Sequence, residues 1–344
     1  MPSGSLTTVL DPALSFLKRL TTVSPQEVKL TVGLDVGATA IKAVALGPRK
    51  SAGARPLLGH HLVPLQEGQD VDASEAIKAA VFGLHLPVRN VNLSVSGQWV
   101  IMRIVELPTM KPVEMMQALP FEAQRYLPFN IQDVVLDGAV LGPASSNKSW
   151  VLIVACKKEL LERRMDWVRR AGFEVAVVDV DALAIANGFL AGGSTQRPQG
   201  TRAILNVGGQ LTNLVIFQGS VPYLVRDIPW GGEKLARNTA EQTGTDPAGV
   251  AKQLAEGAVS AEVASAMKLV TEALVTELQL SFDYFENRFG QPPEEILVSG
   301  GMSQSAAFLD ALKQHLTQTM TPWVPAAGLS PQFAVAYGLA LRTS

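Results

Sequence analysis

Three apolar runs in this chain each end in a glycine-bearing turn, and their order along the sequence limits the folds open to it. They are Val32-Gly33-Leu34-Asp35-Val36-Gly37-Ala38-Thr39, then Ala203-Ile204-Leu205-Asn206-Val207-Gly208-Gly209-Gln210, then Ile296-Leu297-Val298-Ser299-Gly300-Gly301-Met302. A buried strand that runs into such a turn presents backbone N–H groups, and glycine, having no Cβ, lets an anion approach them closely. Phosphate oxygens suit that arrangement. The first two runs are each followed by a second apolar strand, Ile41 to Leu46 and Leu211 to Phe217. Two such hairpins facing each other would enclose a cleft, with the third turn closing over the base and sugar of a nucleotide. The pattern therefore predicts an α/β protein of two lobes with a phosphate-binding cleft between them.

Length and charge agree with that plan. At 344 residues the chain exceeds what one hydrophobic core usually spans, so two domains are expected. The formal net charge of −2, with only 17% charged residues, leaves no basic excess for a nucleic-acid surface. Hydrophobic residues lie in short runs, none near the roughly 20 apolar residues of a membrane span. Met1 to Leu20 carries no basic cluster followed by a continuous apolar stretch, so no secretory signal is expected. Cys156 is the single cysteine, flanked by Val154 and Ala155 like a buried strand residue, which fits a reducing cytoplasm. Of the four histidines, His60 and His61 fall in an expected strand-edge loop and His85 and His315 at helix ends. None has a cysteine or carboxylate at ligand spacing.

Along the chain, Asp11-Pro12 opens a short helix to Leu20, an N-terminal strap within residues 1–27. Residues 28–96 and 172–192 read as the first lobe: three strands to Pro64, a helix over Ala73 to Leu86, a strand over Asn92 to Ser96, and a strand resuming at Val175. Between them, residues 97–171 form a small inserted α+β module. Its strands are expected over Trp99 to Glu106, Val134 to Leu141 and Trp150 to Cys156, and its helices over Pro112 to Tyr126, kinked at Pro120, and Lys158 to Ala171. Ala191 to Gly200 is a linker rich in Gly, Ser and Pro. The second lobe spans 201–325 and holds a long core helix from Ala261 to Phe289, with Met267, Val270, Leu274, Leu278, Phe282 and Phe285 at helical spacing. Residues 326–344 return to the first lobe.

One segment is far more specific than the glycine turns. Thr109-Met110-Lys111-Pro112, followed by Phe121-Glu122-Ala123-Gln124-Arg125-Tyr126-Leu127-Pro128-Phe129-Asn130-Ile131-Gln132-Asp133-Val134-Val135-Leu136-Asp137, closely resembles the hallmark region of the PilM family of actin-like type IV pilus assembly proteins. The resemblance runs from Val32 to the closing Ala334-Val335-Ala336-Tyr337-Gly338-Leu339-Ala340-Leu341-Arg342. It implies an actin-like (ribonuclease-H-like) two-lobed fold in which the module, entered at Ser96-Gly97, replaces one actin subdomain. It also implies binding of ATP or ADP with Mg²⁺, and docking onto the cytoplasmic N-terminal segment of the inner-membrane protein PilN, in a groove between the module and the first lobe. A cytoplasmic chain without a membrane span would thereby be recruited to the inner face of the inner membrane as part of the pilus assembly platform. The glycine turns alone would equally suit FtsA, sugar kinases or Hsp70-type ATPases. A sugar kinase would need an Asp poised over a substrate hydroxyl. An FtsA-like protein would normally carry a C-terminal amphipathic membrane helix, whereas this sequence stops at Ser344, directly after Leu339 to Arg342.

The resemblance carries over residue by residue. Asp35 matches the carboxylate that holds Mg²⁺ through water, Gly37, Ala38 and Thr39 the first phosphate turn, and Lys42 the lysine seven positions on. An unpaired ammonium in an apolar strand costs several kcal/mol, so Lys42 calls either for a phosphate partner or for an escape to solvent at a strand edge. Asn206 departs from the pattern, because active members of the family carry an Asp there. An amide is a poor ligand for a hard cation. Binding through Gly208, Gly209 and Gln210 could survive that change while hydrolysis becomes weak or absent. Gly300 and Gly301 keep the third turn, with Met302 where a third glycine is common, which narrows the adenine slot. Gly232, in Gly231-Gly232-Glu233-Lys234, resembles the glycine near the ribose, and Gly338 resembles the hinge glycine; a turn or packing role accounts equally for each. Asp179 and Asp181 either face the cleft as an acidic pair or, for Asp181, cap a helix. The resemblance places Glu122 or Gln124 near the cleft, whereas the residues themselves read as a solvated helix face. The kinked helix Pro112 to Tyr126, with the strand Trp99 to Val105 beside it, is the candidate wall for PilN. Phe121, Tyr126 and Phe129 are either anchors on it or core of the module.

Overall fold

The computed structural model describes residues 30–49, 55–65, 72–192 and 200–343, so the expected strap and most of the linker lie outside the described residues. The first lobe opens with β1 (Thr31–Val36), β2 (Ala40–Leu46) and β3 (Leu57–Pro64), then α1 (Ser74–Phe82) and β4 (Asn90–Val95). A three-stranded module follows, with β5 (Val100–Pro108), α2 (Pro112–Ala123), β6 (Val134–Pro143) and β7 (Lys148–Lys157). The chain returns through α3 (Lys158–Arg170), β8 (Glu174–Val180) and α4 (Asp181–Ala191). The second lobe contains β9 (Thr201–Val207), β10 (Thr212–Gln218), β11 (Val221–Ile228), α5 (Gly232–Thr243), α6 (Pro247–Glu256), α7 (Ala261–Phe289), β12 (Glu295–Ser299), α8 (Ala306–Lys313) and β13 (Thr319–Pro322). The last helix is α9 (Ala334–Ala340).

The two lobes repeat one topology. Their sheets run β3-β2-β1-β4-β8 and β11-β10-β9-β12-β13. In each, a meander of three antiparallel strands is extended by two parallel ones. Strands covered on both faces read as continuous apolar runs, and β1, β2, β9 and β10 do so because helices cover them. Helix α7 has the limits its local chemistry sets: Ser260 Oγ accepts the Val263 N–H, and Gly290 ends the helix in the left-handed region. The apolar face of α7 joins Trp230 and Phe308 in the core of the second lobe.

The module is a sheet in the order β5-β7-β6, packed against α2 through Met115, Leu119 and Ala123 with Val105, Leu107, Val151 and Ile153. Pro112 sits at the first turn of α2, where its missing N–H costs nothing, and Glu114 accepts the Lys111 N–H at 3.0 Å. The helix ends at Ala123, three residues earlier than its periodicity predicts. Two further expectations are corrected. Helix α3, assigned by sequence to the module, bridges it to the first lobe: Leu160 near its start packs with Val100, Met102 and Cys156 of the module, whereas Val168 near its end joins Ala171 and Phe173 in the cluster of β1, α1 and β4. His60 and His61 lie within β3, the edge strand of the first sheet, rather than in a loop. His60 packs edge-on against Phe333.

Helix α9 returns from the second lobe onto the first and makes two close backbone approaches. A Cβ on Gly33 of β1 would lie 2.0 Å from Ala336 O, and one on Gly338 would lie 1.7 Å from Ala184 O of α4. Only glycine permits either contact. Gly338→Ala should accordingly lower the unfolding free energy by about 1–3 kcal/mol, despite the better helix propensity of alanine. Urea denaturation followed by circular dichroism measures the change, and an unaltered or higher midpoint would show that the crossing is looser than described.

Candidate functional site

A cleft of about 950 Å³ separates the lobes, walled by the turns that follow β1, β9 and β12. The first turn contributes Asp35, Gly37, Ala38, Thr39 and Lys42, the second Asn206, Gly208, Gly209 and Gln210, the third Gly300 and Gly301. Its volume falls at the upper end of the roughly 300–1,000 Å³ usual for small-molecule sites. Met302 and Gly232 sit just behind this wall, since a Cβ on Gly232 would come 2.8 Å from Met302 Sδ. Gly338 lies outside it, in the crossing of α9 over α4.

The antiparallel register of β1 and β2 sets Asp35 opposite Lys42, and Lys42 Nζ donates to Asp35 Oδ2 at 2.8 Å. Both side chains are largely buried, so the ammonium that looked stranded in an apolar strand has a carboxylate partner. On the facing lobe, polar side chains form a chain of hydrogen bonds. Ser299 Oγ donates to Asn206 Oδ1 at 3.2 Å, Asn206 Nδ2 to Asn213 Oδ1 at 2.9 Å, and Asn213 Nδ2 to Asp227 Oδ1 at 2.8 Å. The other Asp227 oxygen accepts the Gly97 N–H at 2.8 Å, at the entrance to the module. Asn206 thus has both ends of its amide engaged by neutral partners. Burial raises the Asp227 carboxyl above the usual range, while its Gly97 and Asn213 hydrogen bonds oppose that rise.

Asp179 and Asp181 have separate fates. The Asp179 side chain is nearly covered, at 6% exposure, and pairs with Arg342, whose Nε lies 3.2 Å from its Oδ2. Burial raises it, with Arg342 opposing. Asp181 lines the cleft and accepts from Ser94 Oγ at 2.6 Å. It is not a helix cap, since Val180 occupies that position and no side-chain cap hydrogen bond forms there. Burial, and then the charge of Asp35, push the Asp181 carboxyl up to about 7, against the pull of Ser94 and Ser96. Also on the floor of the cleft is Arg164 of α3, whose Nη1 donates to Val36 O at 2.6 Å. Sequence reasoning missed Ser94, Arg164, Asn213 and Asp227. Arg164 follows another arginine in an amphipathic helix and reads as part of a solvated face, and no spacing links Asn213 or Asp227 to the turns.

The turns suit phosphate. The N–H groups of Ala38, Thr39, Gly209 and Gln210 make no backbone hydrogen bond among the described residues. The first and second turns meet across the cleft, where a Cβ on Gly209 would come 2.5 Å from Thr39 Cγ2. Gly300 holds φ at 86°, and a Cβ there would fall 2.3 Å from Val207 O. Among the described residues no three His, Cys, Asp or Glu side chains are placed to cage a metal ion. Mg²⁺ commonly binds through one or two carboxylates, water and substrate phosphates, and Asp35 meets that lesser requirement.

Paired sheets of like topology around a cleft walled by turns, with a small module inserted in the first lobe, define an actin-like protein. Across residues 33–344 the sequence matches the profile of the type IV pilus assembly protein PilM. The chain belongs to that family, as its central segment led us to expect. A solved PilM-PilN type IV pilus biogenesis complex is similar to it with a TM-score of 0.79 and 26% identity, covering 92% of this chain and 98% of that one. The ethanolamine utilization protein EutJ from Carboxydothermus hydrogenoformans shares the fold, with a TM-score of 0.54 at 15% identity over 97% of this chain and 98% of that one. So does a diol dehydratase-reactivating factor in nucleotide-free form, with a TM-score of 0.54 at 9% identity over 91% and 99%. No helix among the described residues is long and apolar enough to cross a membrane.

The raised Asp181 carboxyl has a pH signature. Its pKa in the folded protein, about 7, exceeds the ordinary 3.8, so its contribution to stability is complete below 3.8 and is lost as pH rises toward 7. Around it stand Asp35 and Asp227, which add to the effect, and Arg164, which opposes it. The melting temperature should fall between pH 5 and pH 8 and fall less in Asp181→Asn; parallel profiles for the two proteins would contradict this.

Proposed function

We propose that the protein is a nucleotide-binding platform of the type IV pilus machinery: it holds ATP or ADP with Mg²⁺ between its lobes, turns it over slowly or not at all, and docks the cytoplasmic N-terminal segment of PilN. In this reading Ala38, Thr39, Gly208, Gly209 and Gln210 hold phosphates by their backbones, Gly37 keeps the first turn open to them, and Lys42 and Asp35 flank them. Asp35 is the carboxylate that would hold the metal. Gly300, Gly301, Met302 and Gly232 border the nucleoside end. The bound metal would neutralise charge on the phosphates. Asn206 carries the argument for slow turnover. Its amide is spent on Ser299 and Asn213, and it offers no negative charge to a metal or an attacking water. Asn206→Asp should raise phosphate release by roughly tenfold or more if the remaining site is competent. Brisk release by the wild type would refute the slow-turnover reading, and calorimetry that detects neither ATP nor ADP binding would refute nucleotide binding itself.

Docking is supported by the similarity to the PilM-PilN complex over nearly the whole chain and by the outer face of the module. There Val113, Met116, Phe121 and Tyr126 expose 69%, 45%, 77% and 39% of their surfaces, while Met115 and Leu119 on the opposite side of α2 hold the core. Grouped exposed apolar side chains on a rigid helix suit a peptide that anchors through its own apolar residues. Phe129 instead lies against Trp99, beneath the Lys157 ammonium, and is half-buried. Tethering to PilN would hold the protein at the cytoplasmic face of the inner membrane. Changing Val113 and Phe121 together to Ser should leave thermal stability unaltered and weaken binding of a fluorescent PilN N-terminal peptide by about tenfold or more. Unchanged anisotropy titrations would remove this face from the docking surface.

A further inference from the structure

The cations and anions that line the cleft do not cancel in an even way. Lys42 is matched by Asp35 at 2.8 Å, and Glu233 accepts a hydrogen bond from Gln210. Arg164 is different. It forms no ion pair within 4 Å, and its Nε is buried without an acceptor among the described residues. The side chain reaches the cleft from α3, outside the three glycine turns, and is fixed on two sides. Nη1 holds Val36 O, the carbonyl next to Gly37, and the guanidinium carbon lies 5.3 Å from the centre of the Trp167 ring. A planar guanidinium has five N–H donors in a rigid fork, so one carbonyl leaves most of its capacity unused. A buried donor without a partner is costly, and a charged one more so. Burial opposes the charge of Arg164, while the carboxylates of Asp181 and Asp35, which line the same cleft, favour it.

The missing carboxylate gives this cation its meaning. With Asn206 neutral and Asp35 already paired to Lys42, the two glycine turns offer little free negative charge to hold a metal against a terminal phosphate, while Arg164, near Asp181 and Asp35 but in ion-pair contact with neither, keeps N–H donors that no acceptor among the described residues takes. We propose that Arg164 is a phosphate-binding residue that recognises the terminal phosphate of a nucleoside triphosphate, so that the cleft distinguishes triphosphate from diphosphate by a guanidinium rather than through metal alone. Bidentate guanidinium–phosphate contacts are both strong and directional, and the third phosphate supplies the acceptor oxygens and negative charge that Arg164 lacks. This inference rests on the nucleotide-binding reading above and adds a residue that no motif marks.

The test is calorimetric titration of ATP and of ADP, each with Mg²⁺ and with EDTA, into the full chain and into Arg164→Gln and Arg164→Lys. For Arg164→Gln, ATP affinity should fall roughly tenfold or more while ADP affinity changes less than about threefold, because a charge-assisted bond made only by the third phosphate is lost. Arg164→Lys keeps the charge but not the fork, and should lose part of the preference for ATP. If Arg164→Gln does not fold, the split between ATP and ADP in Arg164→Lys decides the matter. In EDTA the wild type should keep a measurable preference for ATP that Arg164→Gln lacks. Equal weakening of both nucleotides, or no change in either, would reduce Arg164 to a latch between α3 and β1 and overturn the inference while leaving nucleotide binding intact. A wild type that binds neither nucleotide overturns both.

Discussion

Helix α9 lies on two backbones at separations that no Cβ allows, and the geometry of the cleft floor follows from that seat. Gly33 lets the helix rest directly on β1, and Gly338 lets α4 cross it at Ala184. Neighbouring polar groups fix its far end: the buried Asn92 amide donates to Leu339 O at 2.8 Å and to Arg342 O at 2.9 Å, satisfying helix-end carbonyls that would otherwise lack partners. Asp35 and the first turn sit at the end of β1, and Asp181 opens α4. Holding β1 and α4 against one helix therefore fixes the two carboxylates relative to each other. Their proximity is part of what shifts Asp181.

Charge at this site is disposed differently on the two lobes. The first lobe carries Asp35 paired to Lys42, together with Asp181 and Arg164. The second offers amides, hydroxyls and backbone N–H groups, along with Glu233 and Arg237 of α5, while Asp227 ends the hydrogen-bond network at the Gly97 N–H. A buried network is favourable only when its members are satisfied, and this one is, from Ser299 through Asn206 and Asn213 to Asp227. The substitution of an amide for a carboxylate at 206 is thus built into the packing of the second lobe. Asn213 accepts from the amide nitrogen of Asn206, Ser299 donates to its oxygen, and Asn213 in turn donates to Asp227.

The same chain of hydrogen bonds reaches the module. Gly97 lies between β4 and β5 with φ of 89°, so the backbone makes its turn into the module at the residue whose N–H Asp227 accepts. The outer face of α2, with Val113 and Phe121 exposed, belongs to the same module. Continuous bonded contacts thus connect a wall of the cleft with the module whose outer face is the proposed docking surface.

Local chemistry was enough for much of this. The glycine turns, the alternation of apolar strands, and the limits of α7 at Ser260 and Gly290 are written in residues within a few positions of one another, and such short-range preferences act wherever the chain is placed. The long run from Thr109 to Asp137 identified the family because it is specific over many consecutive residues. What the sequence left undecided depends on which surfaces meet. The amphipathic pattern of α3 reports that one face is buried but not on what, so tertiary packing alone set its later turns on the first lobe and carried Arg164 into the cleft. Register between β1 and β2 chose Asp35 as the partner of Lys42, and the approach of β11 to the module entrance chose Gly97 for Asp227. Periodicity fixes the direction in which a side chain leaves its own element; the identity of its partner is set by contacts distant in sequence, whose energies no single segment contains.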